Sequence, residues 1–249
     1  METVILVALW IAKILAGAGI IFLAIWFYGY LVQAPFLPHW MRYWPVRILA
    51  PFVSFICGVD IEIIGKENIP HYKGKKGYQI VANHQSMFDI IILAVVMKDP
   101  IAFIAKKEIE KVPFVGTWAK TIGCPYIDRK NLRQSYGAVM VEGANNIKKG
   151  IAMAIFPAGT RSKSNAVLDF KAGSFKMGTS VQAPILPVTI KDAYKSAKSN
   201  IFKRVTIKVY VHPLIEPSDY QEMSSFQLAK QAQEIITAPI KEYQKEEQK

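Results

Sequence analysis

The hydrophobic pattern divides the chain into a uniformly apolar front and an alternating remainder. Residues Val4 to Val32 are almost all apolar, and Lys13 is the only charged residue among them. A helix of this length would reach about 40 Å, whereas the hydrocarbon core of a bilayer is about 30 Å thick. The run is longer than a secretory signal and does not end in a small-residue cleavage site. We therefore expect a membrane anchor that is retained.

A second apolar stretch, Trp44 to Val59, follows a connection rich in aromatic residues, which favour the headgroup level of a bilayer. Two arrangements of the anchor remain open: a tilted single span, or a two-helix hairpin that dips into one leaflet. Arg47 and Pro51 make the second stretch a poor full span, which favours the hairpin. A third arrangement, a helix buried in a soluble core, fits so long an apolar run poorly. The predicted membrane anchor covers residues 1–59.

Short apolar runs alternate with helical patterns over residues 60–249. Each run is rich in β-branched or aromatic residues and has the length of a strand. Near-continuous apolar strands that alternate with helices are typical of a sheet covered on both faces. The pattern predicts an α/β domain with a mixed, largely buried sheet flanked by helices. The seven predicted strands are Asp60–Ile64, Tyr78–Ala82, Ile101–Ala105, Pro125–Asp128, Ile151–Phe156, Ile185–Ile190 and Val205–Val211.

Two of the predicted helices carry signals at their ends. Asn131 with Gln134 has the spacing of a capping box, and so has Ser224 with Gln227. Gly150 stands where the first helix should end. Pro239 is expected to kink or end the second helix, because proline has no N–H to donate.

The charge balance points to an anionic partner. The formal net charge is +12, from 31 Lys and Arg against 19 Asp and Glu, and nearly all of it lies behind the apolar front. A nucleic acid ranks below a membrane surface or a phosphorylated small molecule, because no nucleic-acid-binding module is recognisable. Cys57 and Cys124 cannot form a disulfide framework and fit reduced thiols, and no Cys/His cluster has zinc spacing, so we expect no metal.

His84 and Asp89 are the first candidates for chemistry. His84 stands at the carboxyl end of a predicted strand, which is the edge where open α/β sheets bind ligands. On one continuous helix the two side chains would point about 140° apart, so they can meet only if the chain turns between them. Asp89 would then orient the imidazole as a general base for a hydroxyl group. The alternative is that Ser86 and Asp89 only cap the following helix and His84 is a solvated turn residue.

A second candidate is the turn Pro157–Ser162, which follows the predicted strand Ile151–Phe156. Gly159 and Thr160 can present backbone N–H groups there, and Arg161 can offer a bidentate guanidinium. This combination suits a phosphate, although a plain surface turn with a solvated arginine would have the same sequence.

Further cations follow two other predicted strands. Arg129 comes after the strand at Pro125–Asp128, and Lys106 and Lys107 come after the strand that begins at Ile101. Because carboxyl ends of parallel strands meet at one edge, we expect these residues on the same rim as His84.

Four blocks of this sequence, in this order, resemble those of the glycerolipid acyltransferases. Asn83–Asp89 resembles the family's N-H-x4-D motif, Tyr126–Arg129 its second block, Phe156–Ser162 its F-P-E-G-T-R-S block, and Leu186–Thr189 its fourth block. Each block is modest alone, but four in family order are specific. The short chain, basic balance and apolar front are most similar to the bacterial 1-acyl-sn-glycerol-3-phosphate acyltransferase (lysophosphatidic acid acyltransferase) branch.

The resemblance implies a reaction and a set of roles. A fatty acyl group would pass from acyl-CoA or acyl-carrier protein to the sn-2 hydroxyl of lysophosphatidic acid and give phosphatidic acid, with no metal or cofactor. His84 would act as general base oriented by Asp89. The residues implied in binding the glycerol phosphate are Arg129, Gly159, Thr160 and Arg161, with Lys106 or Lys107 as weaker candidates. The implied partners are the two substrates, a membrane leaflet and acyl-carrier protein, and no nucleic acid.

The sequence departs from the family at Ala158, where the family block has glutamate. This departure keeps two alternatives open: the same fold acting on another lysolipid or on glycerol 3-phosphate, and a non-catalytic lipid-binding relative. The resemblance implies a place at the cytoplasmic or inner membrane, with the catalytic domain facing the cytoplasm.

Overall fold

The computed structural model describes residues 1–33, 39–70, 77–97 and 99–246. Two helices form the front of the chain, α1 (Glu2–Leu31) and α2 (His39–Ile56). Within the described residues, α1 is the one helix that is long and apolar enough to cross a membrane, over Val4–Leu31, and that stretch is not buried by the rest of the protein. This exposure of apolar side chains indicates that the protein associates with a membrane.

The two front helices contact each other and the rest of the protein. Tyr28 of α1 donates a hydrogen bond to the carbonyl of Met41 (2.8 Å) and accepts one from the indole of Trp44 (2.8 Å). One side of α2 is buried against the following domain through Tyr43 and Ala50. The connection at residues 34–38, where the predicted hairpin would turn, lies outside the described residues, and the division of the chain at residue 59 stays a prediction.

A six-stranded sheet forms the centre of the remaining chain, in the order β1-β8-β7-β2-β6-β3. All neighbouring strands are parallel except β7 and β8, which are antiparallel. Strands β4 and β5 pair in parallel in a separate small sheet. The strand bounds are β1 Val59–Ile64, β2 Gln79–Ala82, β3 Ile101–Phe103, β4 Ala105–Lys106, β5 Tyr126–Ile127, β6 Ala152–Ile155, β7 Ile185–Lys191 and β8 Val205–Val211.

Helices cover this sheet, and the prediction of a mixed α/β fold is confirmed. Strands β2, β3, β6 and β7 are buried along their whole length, as their near-continuous apolar sequences predicted. Strand β8 alternates between buried and half-buried residues, with Thr206 exposed, so one face of this strand is less completely covered. The helices after α2 are α3 Asp89–Val96, α4 Val115–Thr121, α5 Leu132–Lys148, α6 Lys176–Thr179, α7 Pro217–Tyr220 and α8 Ser225–Glu246.

One predicted strand, Ile101–Ala105, is divided in the structure. Strand β3 ends at Phe103, which pairs with Ala154 of β6 and whose N–H donates to the Cys124 sulfur (3.3 Å). The chain then leaves the main sheet, and the N–H of Ala105 bonds to the Pro125 carbonyl (2.9 Å) as β4 begins its pairing with β5.

The helix-end predictions have mixed outcomes. The capping box of α8 is confirmed, because Gln227 N–H donates to Ser224 Oγ (3.2 Å) and Ser224 N–H donates to Gln227 Oε1 (2.8 Å). The capping box of α5 is wrong, since the Asn131 amide bonds to the Gln134 side chain and caps no backbone group. Helix α8 also continues past Pro239 to Glu246.

Candidate active site

The end of β2 is fixed to β7 by the side chain of Asn83. Its amide nitrogen donates to the carbonyl of Ile190 (2.8 Å), and its amide oxygen accepts the N–H of the same residue (2.7 Å). Asn83 is buried, so these bonds are shielded from water. The clamp sets the direction in which the chain leaves the sheet and enters the turn that carries His84.

The turn between β2 and α3 brings His84 and Asp89 together. His84 Nδ1 lies 2.6 Å from Asp89 Oδ2, although the residues are five positions apart. The same oxygen accepts the backbone N–H groups of Gln85 (2.7 Å) and Ser86 (3.0 Å). The chain therefore wraps around the carboxylate. Asp89 is the first residue of α3, and no side chain of the described residues caps the start of this helix. The alternative in which Asp89 only caps the helix and His84 is solvated therefore does not account for the contact between the two side chains.

The imidazole of His84 is held on one face as well. Its ring stacks on that of Phe156, with centroids 4.0 Å apart and planes tilted by 15°. The side chain of His84 is 15% exposed and that of Asp89 is fully buried. Because a carboxylate only accepts hydrogen bonds, a neutral imidazole in this pair carries its proton on Nδ1 and keeps a free lone pair on Nε2. Such an imidazole can accept a proton from a bound hydroxyl group.

The turn after β6 approaches the His84 segment directly. The N–H of Ser162 donates to the His84 carbonyl (2.8 Å), and Phe156, the residue after β6, carries the ring under the imidazole. Gly159 has a φ of 74°, a left-handed conformation that favours glycine. Thr160 and Arg161 are exposed on the same turn. The structure thus places this turn beside the imidazole.

The prediction that the Gly159 N–H faces a ligand is wrong. This N–H donates to the Phe156 carbonyl (3.0 Å) and closes the turn. A tight turn uses one donor in this way, so the donor is not available to an anion.

Two cations flank Gly159 from other parts of the chain. Arg129 Nη2 donates to the Gly159 carbonyl (3.3 Å). The ammonium of Lys171 lies close enough that a Cβ built on Gly159 would be 3.2 Å from it, and the Lys171 N–H donates to the Pro157 carbonyl (3.3 Å). Sequence reasoning included Arg129, gave Phe156 a place in a family block but no role, and missed Lys171. A phenylalanine that ends an apolar strand and a lone lysine in a loop form no pattern typical of chemistry.

The lysines after β3 are connected to the turn only indirectly, through the segment that carries Arg129. Lys107 pairs with Asp128 (3.3 Å), the neighbour of Arg129. The backbone N–H of Lys130 and the Lys107 ammonium hold the pKa of Asp128 below its usual range. Lys106 is exposed at the end of β4. Lys107 is thus engaged by a carboxylate, which leaves it less suited to an anionic ligand than Arg161.

The structure therefore gathers most of the predicted residues along one rim. Direct contacts link His84 to Asp89, to Phe156 and to the Ser162 backbone, and link Arg129 to the turn. No group of three or more His, Cys, Asp or Glu side chains that could hold a metal occurs within the described ranges.

Comparison with known proteins decides the family. Residues 60–191, more than half of the chain, match the model of the acyltransferase family. The chain belongs to the acyltransferase family. The resemblance seen in the sequence blocks is therefore confirmed, and the rim described above lies within the matched segment of this acyltransferase.

Curated relatives of the acyltransferase cover most of its length. It is 31% identical over 224 residues to the "Probable 1-acyl-sn-glycerol-3-phosphate acyltransferase" of Mycoplasma pneumoniae, a match that spans 83% of this chain and 80% of the relative. It is 28% identical over 240 residues to the "1-acyl-sn-glycerol-3-phosphate acyltransferase" of Saccharomyces cerevisiae, which spans 92% and 74%. The enzyme of the same name from Escherichia coli is 30% identical over 167 residues, 67% of this chain and 68% of that enzyme.

A solved structure shares the fold of this acyltransferase. The crystal structure of the 1-acyl-sn-glycerophosphate (LPA) acyltransferase PlsC from Thermotoga maritima superposes with a TM-score of 0.69. The match covers 91% of this chain and 97% of the other, at 22% sequence identity. It supports the mixed α/β architecture.

Proposed function

We propose that this acyltransferase moves a fatty acyl group from an acyl thioester to the sn-2 hydroxyl of 1-acyl-sn-glycerol 3-phosphate. The products are phosphatidic acid and a free thiol. The observation that carries the proposal is the 2.6 Å contact of His84 Nδ1 with Asp89 Oδ2 beside a turn flanked by cations. The names of the relatives, which specify this acceptor, support the same choice.

His84 acts as the general base in this proposal. Asp89 accepts a hydrogen bond from the Nδ1–H group. Nε2 therefore takes the proton of the sn-2 hydroxyl as the hydroxyl oxygen attacks the thioester carbonyl. The buried carboxylate stabilises the imidazolium that forms. The tetrahedral intermediate then expels the thiolate, which recovers the proton from His84. Stacking on Phe156 keeps the imidazole from rotating away from this position.

The cationic turn binds the phosphate of the acceptor in this proposal. Arg129 and Lys171 lie on two sides of Gly159, and Arg161 projects from the same turn. Guanidinium and ammonium groups are the usual protein ligands of a phosphate dianion. Thr160 offers a hydroxyl group next to Arg161. Lys106 and Lys107 would add positive charge from the outer side of the rim. Gly159, which has no side chain, would allow the phosphate to approach the turn closely.

The acyl donor is proposed to be acyl-CoA or acyl-carrier protein, with no cofactor and no metal. A thioester is already activated, so alignment of two bound substrates can lower the barrier. The acceptor stays in a membrane leaflet, which the exposed apolar α1 would also enter. We place the catalytic domain on the cytoplasmic side of the cytoplasmic or inner membrane. The free thiols of Cys57 and Cys124 fit that reducing compartment.

The test is thiol release from each donor with a panel of acceptors. We expect turnover with lysophosphatidic acid and much less with glycerol 3-phosphate or a neutral lysophospholipid. His84→Ala should abolish turnover with the best pair while the melting temperature stays near that of the parent. A preference for another acceptor would reassign the substrate.

Ala158 favours one competing function, lipid binding without catalysis, because the family block has glutamate there. The same assay distinguishes the two. Equal background rates for the parent and His84→Ala, together with binding of lysophosphatidic acid, would establish the non-catalytic function.

A further inference from the structure

A short turn ahead of β8 presents two large apolar side chains to solvent. Phe202 is 95% exposed and Ile201 is 45% exposed. Neither side chain belongs to the proposed active site. An exposed apolar side chain points to an interaction site when it belongs to a larger contiguous apolar patch, not when it stands singly.

Hydrogen bonds give this turn a defined shape. Asn200 and Lys203 exchange backbone hydrogen bonds in both directions, each 3.0 Å long. The side-chain oxygen of Asn200 accepts the N–H groups of Phe202 and Lys203, also at 3.0 Å. The two apolar residues therefore stand at the tip of a closed turn, so ordering them on a partner costs little entropy.

The turn is fixed to the end of α2. Ser199 Oγ donates to the Cys57 carbonyl (2.8 Å), and Arg204 Nη1 donates to the Phe55 carbonyl (3.3 Å). The guanidinium of Arg204 also lies over the Phe55 ring, 5.3 Å from its centroid. Gly58 has a positive φ, and a side chain there would collide with the Asn200 carbonyl.

An exposed apolar stripe on α2 leads to the same place. Trp44, Ile48, Phe52 and Phe55 are all exposed, and their spacings of four, four and three residues put them on one face of the helix. Phe55, the last of them, is the residue that Arg204 contacts. The apolar surface of the front helices thus continues onto the turn.

The charge around the tip suits an anionic surface. Lys198 and Lys203 are exposed on either side of it, and residues 193–205 contain no acidic residue. The two other cations of this segment have carboxylate partners, since Arg204 is paired with Asp60 and Lys195 with Asp192. Lys198 and Lys203 are therefore the cations of this segment that have no ion pair among the described residues. Cations beside exposed aromatic residues are typical of segments that enter the headgroup region of a membrane.

We propose that residues 199–204, here called the tip loop, form a second membrane-contacting element. In this arrangement Ile201 and Phe202 enter the boundary between headgroups and acyl chains, and Lys198 and Lys203 contact anionic headgroups. A lipid surface is favoured over a protein partner by the continuity with the α2 stripe and by the flanking charge. The proposal goes beyond the catalytic function and does not depend on the identity of the acceptor.

Nitroxide labels on the full-length protein in vesicles test the proposal. The vesicles contain phosphatidylcholine with phosphatidylglycerol, and single cysteines replace Phe202 or, in a second variant, Ile201. All of these proteins also carry Cys57→Ser, so that the label does not attach at Cys57. Cys124 is kept, because it is buried and burial raises the pKa of its thiol to about 12, so it should not react with the label. The matched control is Phe226→Cys, at a phenylalanine that is 72% exposed on α8. Collision rates with oxygen, which enriches in lipid, and with a water-soluble nickel chelate report the depth of each label.

We expect the labels at 201 and 202 to lose collisions with nickel and gain collisions with oxygen, relative to the label at 226. Neutralising both lysines (Lys198→Gln with Lys203→Gln) should move the label at 202 toward water on the anionic vesicles. A label at 202 that meets nickel as often as the label at 226 would overturn the proposal. Both labels exposed would mean that the tip loop stays in water, and both labels shielded would mean that general adsorption explains the result.

Discussion

At the scale of single residues, the contact between His84 and Asp89 leads to the sharpest prediction. An amide at position 89 can donate to Nδ1 and so stabilise the tautomer in which Nε2 carries the proton and cannot act as base. Asp89→Asn should therefore lower kcat by about 10²–10⁴-fold, with little change in the KM of the acceptor. Steady-state thiol release measures both constants.

The control for Asp89→Asn is the double variant with His84→Ala. Because the two residues are proposed to act as one unit, the double variant should be no slower than His84→Ala alone. Losses that multiply would show that Asp89 contributes independently of the imidazole.

The cations of the turn should affect binding more than chemistry. If Arg161 binds the acceptor phosphate as proposed, Arg161→Ala removes a charge-assisted hydrogen bond, and such a bond contributes about 1.5–3 kcal/mol. The KM of lysophosphatidic acid should rise roughly 10-fold or more, while kcat changes less. Lys230→Ala, at an exposed lysine of α8, is the control and should leave both constants near those of the parent. An unchanged KM in Arg161→Ala would move the phosphate site elsewhere.

Ala158 is the position where a substitution should improve the enzyme. The residue is half-buried next to Gly159, which Arg129 and Lys171 flank. A carboxylate at 158 would hold these cations in place around the acceptor. Ala158→Glu should therefore raise kcat/KM for lysophosphatidic acid, whereas the neutral Ala158→Gln should do so less. Equal kinetics in the parent and both variants would show that the position is dispensable.

The residues that the sequence could and could not indicate differ in how they reach the site. His84 and Asp89 are close along the chain, so a strand, a turn and a helix start were enough to predict their contact. Phe156 and Lys171 reach the site only through the pairing of distant segments, which no local pattern encodes. The Gly159 N–H was misassigned because a turn's internal hydrogen bond competes with any ligand for the same donor.

At the scale of elements, the Asn83 clamp between β2 and β7 should matter for stability. Asn83→Ala leaves the buried N–H of Ile190 without its acceptor, while the carbonyl keeps a donor from Gln85 Nε2 (2.8 Å). A buried donor left unpaired costs about 1–3 kcal/mol, so the melting temperature should fall. Differential scanning calorimetry in detergent would measure this fall.

Asn131→Ala is the matched control for the clamp. Asn131 is exposed, and its side chain bonds to Gln134 but caps no backbone group. The substitution should change stability by no more than about 0.5 kcal/mol. A loss as large as that of Asn83→Ala would mean that the measurement does not report the clamp.

Strands and helices were predictable from the sequence where a single effect, such as burial of a strand on both faces, decides the local structure. Near-continuous apolar runs predicted β2, β6 and β7, because a strand that is buried on both faces needs apolar residues on both. Helix α8 passes Pro239 because Ile236 and Ile240 are buried on either side of it, and this packing offsets one lost hydrogen bond. Packing partners, unlike apolar runs, are not visible along a single segment.

At the scale of the whole molecule, the two front helices are attached to the catalytic domain in different ways. Helix α1 touches α4 near its end, where Trp26 bonds to Thr117 (3.2 Å) and Thr121 bonds to the Gly29 carbonyl (2.9 Å). Helix α2 packs along α3, the helix that begins with Asp89, and buries Tyr43 and Ala50. Removing α1 should therefore disturb the domain less than removing both helices.

Two truncations test this difference. A protein without residues 1–33 keeps α2, so it should stay folded and should bind anionic vesicles weakly, through the α2 stripe and the tip loop. That binding should be lost as salt is raised, because headgroup attraction is screened. A protein without residues 1–57 exposes the face of α3 that α2 covers and should aggregate or melt at a lower temperature. Vesicle flotation at two salt concentrations and thermal melting measure both effects, and equal melting of the two proteins would show that α2 is not part of the domain core.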